Sequence, residues 1–438
     1  MPQVLEPQAT LPWRDPADVF ALIAARHDDV FWLDAGPDAE NGFSFLGWGV
    51  RADGAEVRSA PAVGGAGVLL GGWVGWVGYE TGVDAAGAPI ADPEAGVPGE
   101  LWLAVRGLAV FDHSAHTLTR HGLIDLDVPT GAAAEAPTPS AAHPQRSLAH
   151  VSGESEPAAA SVARSRHTPT EYAALIERCR DAIRAGDAYQ LCLTTRFEVD
   201  GTIDPVVAHR ALRHATPAHH GGIIRSGGVA LVSASPEQFV QVRGTTVRTR
   251  PIKGTRPRGQ DAAADAALAA ELVASRKERA ENVMIVDLMR NDLARMCEPG
   301  TVAVERLLEV ESYPAVHQLV STVAGRLPAG ATVDDVLRAA FPAGSMTGAP
   351  KLSAMTILHG LENGPRGVYS GCFGWVGASG GLDLAMVIRS IVTHPGGAYV
   401  GAGGGITWLS DAAEEVAEVG LKARAPLRAV GAVPPEGW

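Results

Sequence analysis

Residues 367–430 read GVYSGCFGWVGASGGLDLAMVIRSIVTHPGGAYVGAGGGITWLSDAAEEVAEVGLKARAPLRAV. GVYSGCFGWVGA, LDLAMVIRSIVTH and GAYVGAGGGITWL are strand patterns, apolar runs broken by glycine. SDAAEEVAEVGLKARAPLRAV is a helix pattern, and it comes only after all three. Strands in runs, with helices gathered between the runs, argue for an α+β fold and against a repeating βαβ unit.

The same pattern continues upstream. AYQLCLTTRFEV, GGIIRSGGVALVSASPEQFVQV and TTVRTRPI predict strands, and one long helical pattern covers 262–296. Shorter helices are expected near 333–340 and 350–361. In TPTEYAALIERCRDAIRAGD, Thr168 with Glu171 forms a capping box and Gly186 stops the helix. Residues 1–127 alternate short apolar runs with turns, which predicts a strand-rich domain. Residues 128–167 are rich in Ala, Pro, Ser and Gly with almost no large apolar residues. Such a segment cannot bury enough surface to offset its ordering entropy, so it reads as a linker before a domain at 168–438.

Composition narrows the function classes. A chain of 438 residues, 46% hydrophobic and 19% charged, is globular and large enough for two domains or one composite one. A net charge of −13 argues against a general nucleic-acid surface. The first residues have no basic segment followed by an apolar run, and no apolar stretch approaches the ~20 residues of a membrane span. The four cysteines, at 179, 192, 297 and 372, lack CxxC spacing, which disfavours a disulfide framework or a zinc site and suits the reducing cytoplasm.

Several constellations could carry chemistry. Glu278 and Glu281 lie three apart on one helix pattern, and Glu415 and Glu418 three apart on another, so each pair shares a helix face. Two such helices at a cleft could present carboxylates to a hard divalent cation, or they could be ordinary acidic surface helices; spacing leaves both open. FPAGSMTGAPKLSAM, residues 341–355, is a Gly/Pro turn feeding a helix, where Thr347 and backbone amides could hold a carboxylate. GAGGGI, residues 401–406, follows a strand and lacks the full dinucleotide pattern. Arg389, in an apolar strand, needs a carboxylate partner. Lys253, in TRPIKGTRPRG, is a surface cation, an anion clamp or a nucleophile; for the last, desolvation and the neighbouring arginines would have to favour the neutral amine.

The ordered blocks SASPEQF, TRPIKGTRPRG, RAENVMIVDLMRNDLARM, YPAVHQLVSTVAGRL, FPAGSMTGAPKLSAM, GVYSGCFGWVG, MVIRSI, GAGGGI and AEEVAEVGLKAR together resemble the chorismate-utilising enzymes across 168–428. The resemblance implies a composite α+β fold of the anthranilate synthase component I type, β-sheets surrounded by helices, and a Mg²⁺-dependent substitution on chorismate. Glu281 and Glu418 match the family's metal glutamates, with Glu278 and Glu415 acting through water or behind them. Arg389, Tyr369, Thr347 with Gly348, and the Gly403–Gly404–Gly405 backbone match positions that hold the substrate's carboxylates, with Lys422 a nearby cation. Glu237 matches the proposed general acid for the departing hydroxyl.

Three positions distinguish branches of that family. Gln190, beside the substrate, stands where isochorismate and salicylate synthases carry a water-activating Lys. Lys253 stands where anthranilate synthases typically have Ala, and resembles the aminodeoxychorismate synthases. Their lysine is thought to add to C2 of chorismate before ammonia attacks C4. Gln318 stands where anthranilate synthases usually have His, although His317 is adjacent. The implied reaction is amination of chorismate to 4-amino-4-deoxychorismate, toward p-aminobenzoate for folate or a specialised product. Anthranilate synthesis is the alternative, and a catalytically silent homologue a third. Nothing resembles a glutaminase, so the resemblance implies a separate glutamine amidotransferase subunit. The FSFLG region with Ser44 lies where relatives bind tryptophan.

Overall fold

The computed structural model describes residues 3–65, 67–126, 160–313 and 316–438. Among them, twenty strands join into one hydrogen-bonded network, with helices packed around it, the α+β arrangement expected. Its longest uninterrupted pairing joins the strand Gln190–Asp200 to the strand Gly397–Ile406, antiparallel from Asp200 opposite Gly397 to Leu191 opposite Ile406. The helix Ala412–Ala429 packs on this pair.

The two sides of the sequence interleave. The strand Val30–Asp34 pairs with His220–Ser226, and Gly72–Val77 pairs with Cys372–Gly377. One apolar core holds Phe31, Trp73, Trp76 and Trp102 against Phe239, Ile285, Val323 and Phe373. The other holds Phe20, Trp32 and Phe111 with Tyr172, Phe197, Val419 and Leu427. Each fully buried ring of the Phe31 kind contributes roughly 1.5–3 kcal/mol of transfer free energy. Both cores therefore draw their stabilisation from both sides of the sequence.

Most of the stretch read as a linker lies outside the described residues, but its last eight residues do not. Ser161–Val162 pairs in parallel with Ala432–Val433, Arg164–Ser165 pairs with the strand Gln190–Asp200, and Ala163 and His167 are buried. Two-residue strands of small and polar residues give no periodic signal; register against longer strands creates them.

Local rules explain the elements around the site. Thr168 Oγ1 accepts from the Glu171 amide at 3.2 Å, Glu171 Oε2 accepts from the Thr168 amide at 2.8 Å, and Gly186 closes the helix Pro169–Ala185 at φ +87°. The expected single helix over 262–296 is two, Ala262–Ala274 and Arg276–Ala294. Ser275 is the junction: its extended backbone ends the first helix, and its hydroxyl caps the second through the Glu278 amide at 3.4 Å. The expected strand through Arg389 is also broken, into Leu382–Met386 and Ser390–His394, because Arg389 adopts a left-handed φ of +52°. GAGGGI is itself strand, inside Gly397–Ile406. No helix among the described residues is long and apolar enough to cross a membrane.

Candidate active site

The site forms where the Gly397–Ile406 strand, the strand Ile252–Pro257 and the helices Arg276–Ala294 and Ala412–Ala429 converge. Lys253 reaches it through a bulge. The pairing of Ile252–Pro257 with Val316–Arg326 slips between Ile252 and Thr255, and Gly254 sits there at φ +88°. A Cβ on Gly254 would lie 2.8 Å from Leu272 and 3.1 Å from Glu278, so only glycine lets the strand lie this close to the helices.

The lysine amine projects beside Gly405, where an added Cβ would stand 3.4 Å from Lys253 Nζ and 2.8 Å from Gln190 Nε2. Its charge is felt by three carboxyls, Glu237, Glu281 and Glu418. Among the described residues the amine makes no hydrogen bond. The surrounding arginines are not aimed at it. Arg250 pairs with Glu311, Arg256 with Glu271 at 2.5 Å and Glu278 at 3.4 Å, and Arg258 with Asp265 at 2.6 Å. The turn that looks cationic in sequence therefore places its lysine in acidic surroundings.

Glu237 Oε1 accepts from Ser345 Oγ at 3.0 Å, and burial pushes its carboxyl up despite that bond and the ammoniums of Lys253 and Lys422. Burial likewise raises Glu281, with Glu278 and Glu418 adding to the effect. It raises Glu415 too, which accepts from Ser410 Oγ at 2.8 Å. Burial also acts on Glu418, but Lys422 at 2.7 Å, with Lys253 and Lys277, outweighs it and holds that carboxyl below its ordinary value. Lys277, which sequence reasoning missed, acts on Glu281, Glu415 and Glu418 alike. Its position four residues before Glu281 is the signal that could have found it.

Among the described residues no three acidic, imidazole or thiol groups already stand close enough to hold a metal ion. The donors on the two helices are nonetheless all carboxylates, and their mutual repulsion is felt from Glu281 to Glu418. This set fits a hard divalent cation that keeps several waters.

Opposite the acids lie groups suited to an anion. The Arg389 guanidinium is largely buried, which lowers its pKa, and it faces Tyr369 and Glu418. The Tyr369 ring occupies the space a side chain at Gly401 would need, and burial pushes its phenol up. Thr347 is buried, and its hydroxyl donates to Ala343 O at 3.1 Å, so holding a carboxylate would require that proton to turn from Ala343 to the ligand. At Gly348, φ is +149° and a Cβ would lie 2.1 Å from Gln190 O, which presses the turn onto the strand. Lys422 Nζ donates to Gly403 O at 2.8 Å, and Gly404 makes room for Glu415 Oε2. Gln190 is 1% exposed, and both its amide atoms lack a protein partner. An unpaired buried amide costs about 1–3 kcal/mol, so this one marks a polar ligand position.

One sequence ambiguity resolves. His317 is held by Asp265 at 2.9 Å and Ser312 at 2.8 Å, so its ring is committed away from the place of Gln318. Cys372 is fully buried among core residues, and burial pushes its thiol up.

Behind the site is a second cavity of about 1120 Å³, lined among others by Asp34, Phe45, Gln238, Ile252, Trp375 and Asp383. Gln238 and Ile252 are the chain neighbours of Glu237 and Lys253, so this cavity adjoins the two strand segments that carry those side chains. Ser44 lies beneath this cavity, 3.3 Å from Asp34 Oδ1 and 2.9 Å from His113 Nε2.

Residues 15–428 match the model of the chorismate binding enzymes. An aminodeoxychorismate synthase of Streptomyces pristinaespiralis is 42% identical over 82% of the chain and 50% of its own length. An anthranilate synthase component 1 of Streptomyces coelicolor is also 42% identical, over 85% of the chain and 75% of its own. The chain spans about half the length of the aminodeoxychorismate synthases it matches from two Streptomyces species. Among solved structures, anthranilate synthase component I from Streptococcus pneumoniae superposes with a TM-score of 0.73 at 28% identity, over 96% of this chain and all of its own. A menaquinone-specific isochorismate synthase from Escherichia coli, at 17% identity and a TM-score of 0.69 over 98% of this chain and 96% of its own, shares the fold.

Proposed function

The chain belongs to the chorismate-binding enzymes, and from that premise we propose that it is the synthase of an aminodeoxychorismate-forming pair. Relatives named for 4-amination and for anthranilate synthesis are equally similar, so the proposal rests on a single observation. Lys253 presents an amine beside the glycine strand, 3.4 Å from where a side chain on Gly405 would begin and near enough to Glu237 for its charge to act on that carboxyl.

In this reading the substrate's carboxylates lie against Arg389, Tyr369, Thr347 and the Gly403–Gly405 backbone. Glu281 and Glu418 hold Mg²⁺, with Glu278 and Glu415 acting through water, and the ion when bound supplies positive charge for a carboxylate. The Lys253 ammonium first gives up a proton to solvent; its neutral amine then forms a bond to C2, the conjugated double bonds of the ring both shift, and the C4–oxygen bond breaks. Glu237, whose protonated form burial favours, gives its proton so that water leaves. Ammonia then attacks C4, both double bonds shift back and the C2–nitrogen bond breaks, returning the amine. The enolpyruvyl ether stays intact. Gln190, with its unpaired amide, is placed to orient the incoming nitrogen. A glutamine amidotransferase subunit supplies that nitrogen in the cell.

The second cavity, with aromatic walls and the Asp383 carboxylate, suits tryptophan. In this cavity Asp34 is held by Arg213 at 2.7 Å, while Asp383 accepts from the neutral amides of Gln238 at 3.0 Å and Gln241 at 2.6 Å, so an ammonium would join those bonds at Asp383.

Mass spectrometry of the products from chorismate, ammonium and Mg²⁺ tests the reading. It predicts 4-amino-4-deoxychorismate without pyruvate. Anthranilate with stoichiometric pyruvate would favour the anthranilate synthase reading instead.

A further inference from the structure

Tyr369 sits on the loop 363–371, between the helix Lys351–Glu362 and the strand Cys372–Gly377. The side chain of Arg366, on the same loop, is 1% exposed. All five of its N–H groups are used. Nε donates to Glu362 Oε2 at 2.8 Å, and Nη2 to Glu362 Oε1 at 2.6 Å and Cys192 O at 2.8 Å. Nη1 donates to Met346 O at 2.6 Å and Ser370 Oγ at 3.4 Å. Glu362 Oε1 also accepts from the Thr194 amide at 2.9 Å. The loop's own amides are fixed from elsewhere: those of Arg366 and Gly367 donate to Glu80 at 2.7 and 2.9 Å, and that of Val368 to Tyr399 Oη at 3.0 Å.

The atoms that Arg366 grips lie beside three ligand positions on three separate segments. Cys192 is two residues from Gln190, Met346 precedes Thr347, and Ser370 follows Tyr369. A buried ion pair is by itself weak evidence for stability, because apolar side chains of similar volume often replace one without loss. A planar fork that ties two backbone carbonyls, the Ser370 hydroxyl and the Glu362 carboxylate to one rigid group does something such replacements cannot.

We propose that Arg366, oriented by Glu362, is a positioning residue that sets the mutual spacing of Gln190, Thr347 and Tyr369 without touching the substrate. Lysine keeps the charge but is a point donor and cannot span the three segments. The kinetic part of this proposal rests on chorismate being the substrate; the dynamic part does not.

The test compares Arg366→Lys and Glu80→Gln with the parent by native hydrogen exchange and by steady-state kinetics with chorismate, ammonium and Mg²⁺. Arg366→Lys should speed exchange in 190–195, 344–348 and 366–371 while leaving the distant strand Thr117–Gly122 unchanged. It should raise KM for chorismate about tenfold, with kcat within about threefold of the parent. Glu80→Gln should loosen 366–371 and raise KM by about threefold. The proposal is overturned if Arg366→Lys loosens the whole molecule or lowers kcat at unchanged KM, the mark of a plain core ion pair. If Arg366→Lys does not fold, an unchanged KM in Glu80→Gln overturns it alone. A parent that consumes no chorismate refutes the functional reading, and the exchange pattern then decides the positioning role.

Discussion

Lys253 and Glu237 divide the proposed chemistry, one as nucleophile and the other as acid, and their substitutions should fail differently. Lys253→Ala removes the bond-forming atom, so 4-amination should fall about a hundredfold or more while the melting temperature stays near the parent's. Unchanged turnover in an assay with saturating ammonium would refute the role. Glu237→Gln should cost about 10²–10⁴-fold, the range for a lost general acid. Burial raises the Glu237 pKa, so the acid form persists above the ordinary carboxylate range and is lost as pH rises further. The parent's kcat should therefore decline on the alkaline side of that raised value. The Gln variant, which has no proton to lose, should lack this limb. Both residues could be named from sequence because the blocks SASPEQF and TRPIKGTRPRG resemble those of the family, but their surroundings could not. The arginines flanking Lys253 are taken up by acids 7 to 61 residues away, and Lys277 reaches Glu415 and Glu418 only through the packing of two helices.

At the scale of elements, glycine decides how closely strands approach the site, and two glycines should respond in opposite ways. Gly348 has a φ of +149° and backbone 2.1 Å from an added Cβ. Gly348→Ala should therefore destabilise the protein by about 1–3 kcal/mol, read as a lower urea midpoint. At Gly405 the obstructing atoms are the ends of two side chains, Gln190 and Lys253, which can move. Gly405→Ala should keep the urea midpoint but raise KM for chorismate, and the opposite pairing of outcomes would contradict the geometry. Helix and strand patterns placed most elements near their observed bounds. The helices Pro16–Arg26 and Pro205–Ala215 are unexpected, and two other misses fall where one residue overrides a period: Ser275 splits a helix by capping, and Arg389 splits a strand by its left-handed backbone.

For the whole molecule, the composition of 128–167 suggests two domains, whereas both cores mix residues from before and after it. Alternation within a strand shows that it has a buried face, but not which distant strand covers that face. A fragment of residues 168–438 should accordingly lack a cooperative thermal transition and bind a hydrophobic dye; a sharp transition near that of the full chain would contradict the shared cores. The second cavity backs onto Lys253 and Glu237 through Ile252 and Gln238. An aromatic amino acid bound there should raise the melting temperature and change KM together, and Asp383→Asn should abolish both effects.

The most direct test of the covalent role is the intact and peptide mass of enzyme quenched during turnover of chorismate with Mg²⁺ and no ammonia. The account predicts a fraction of the protein heavier by one chorismate less one water, on the peptide carrying Lys253, and absent from Lys253→Ala. Sustained formation of 4-amino-4-deoxychorismate by the parent with no such species, under quenching fast enough to trap it, would contradict it.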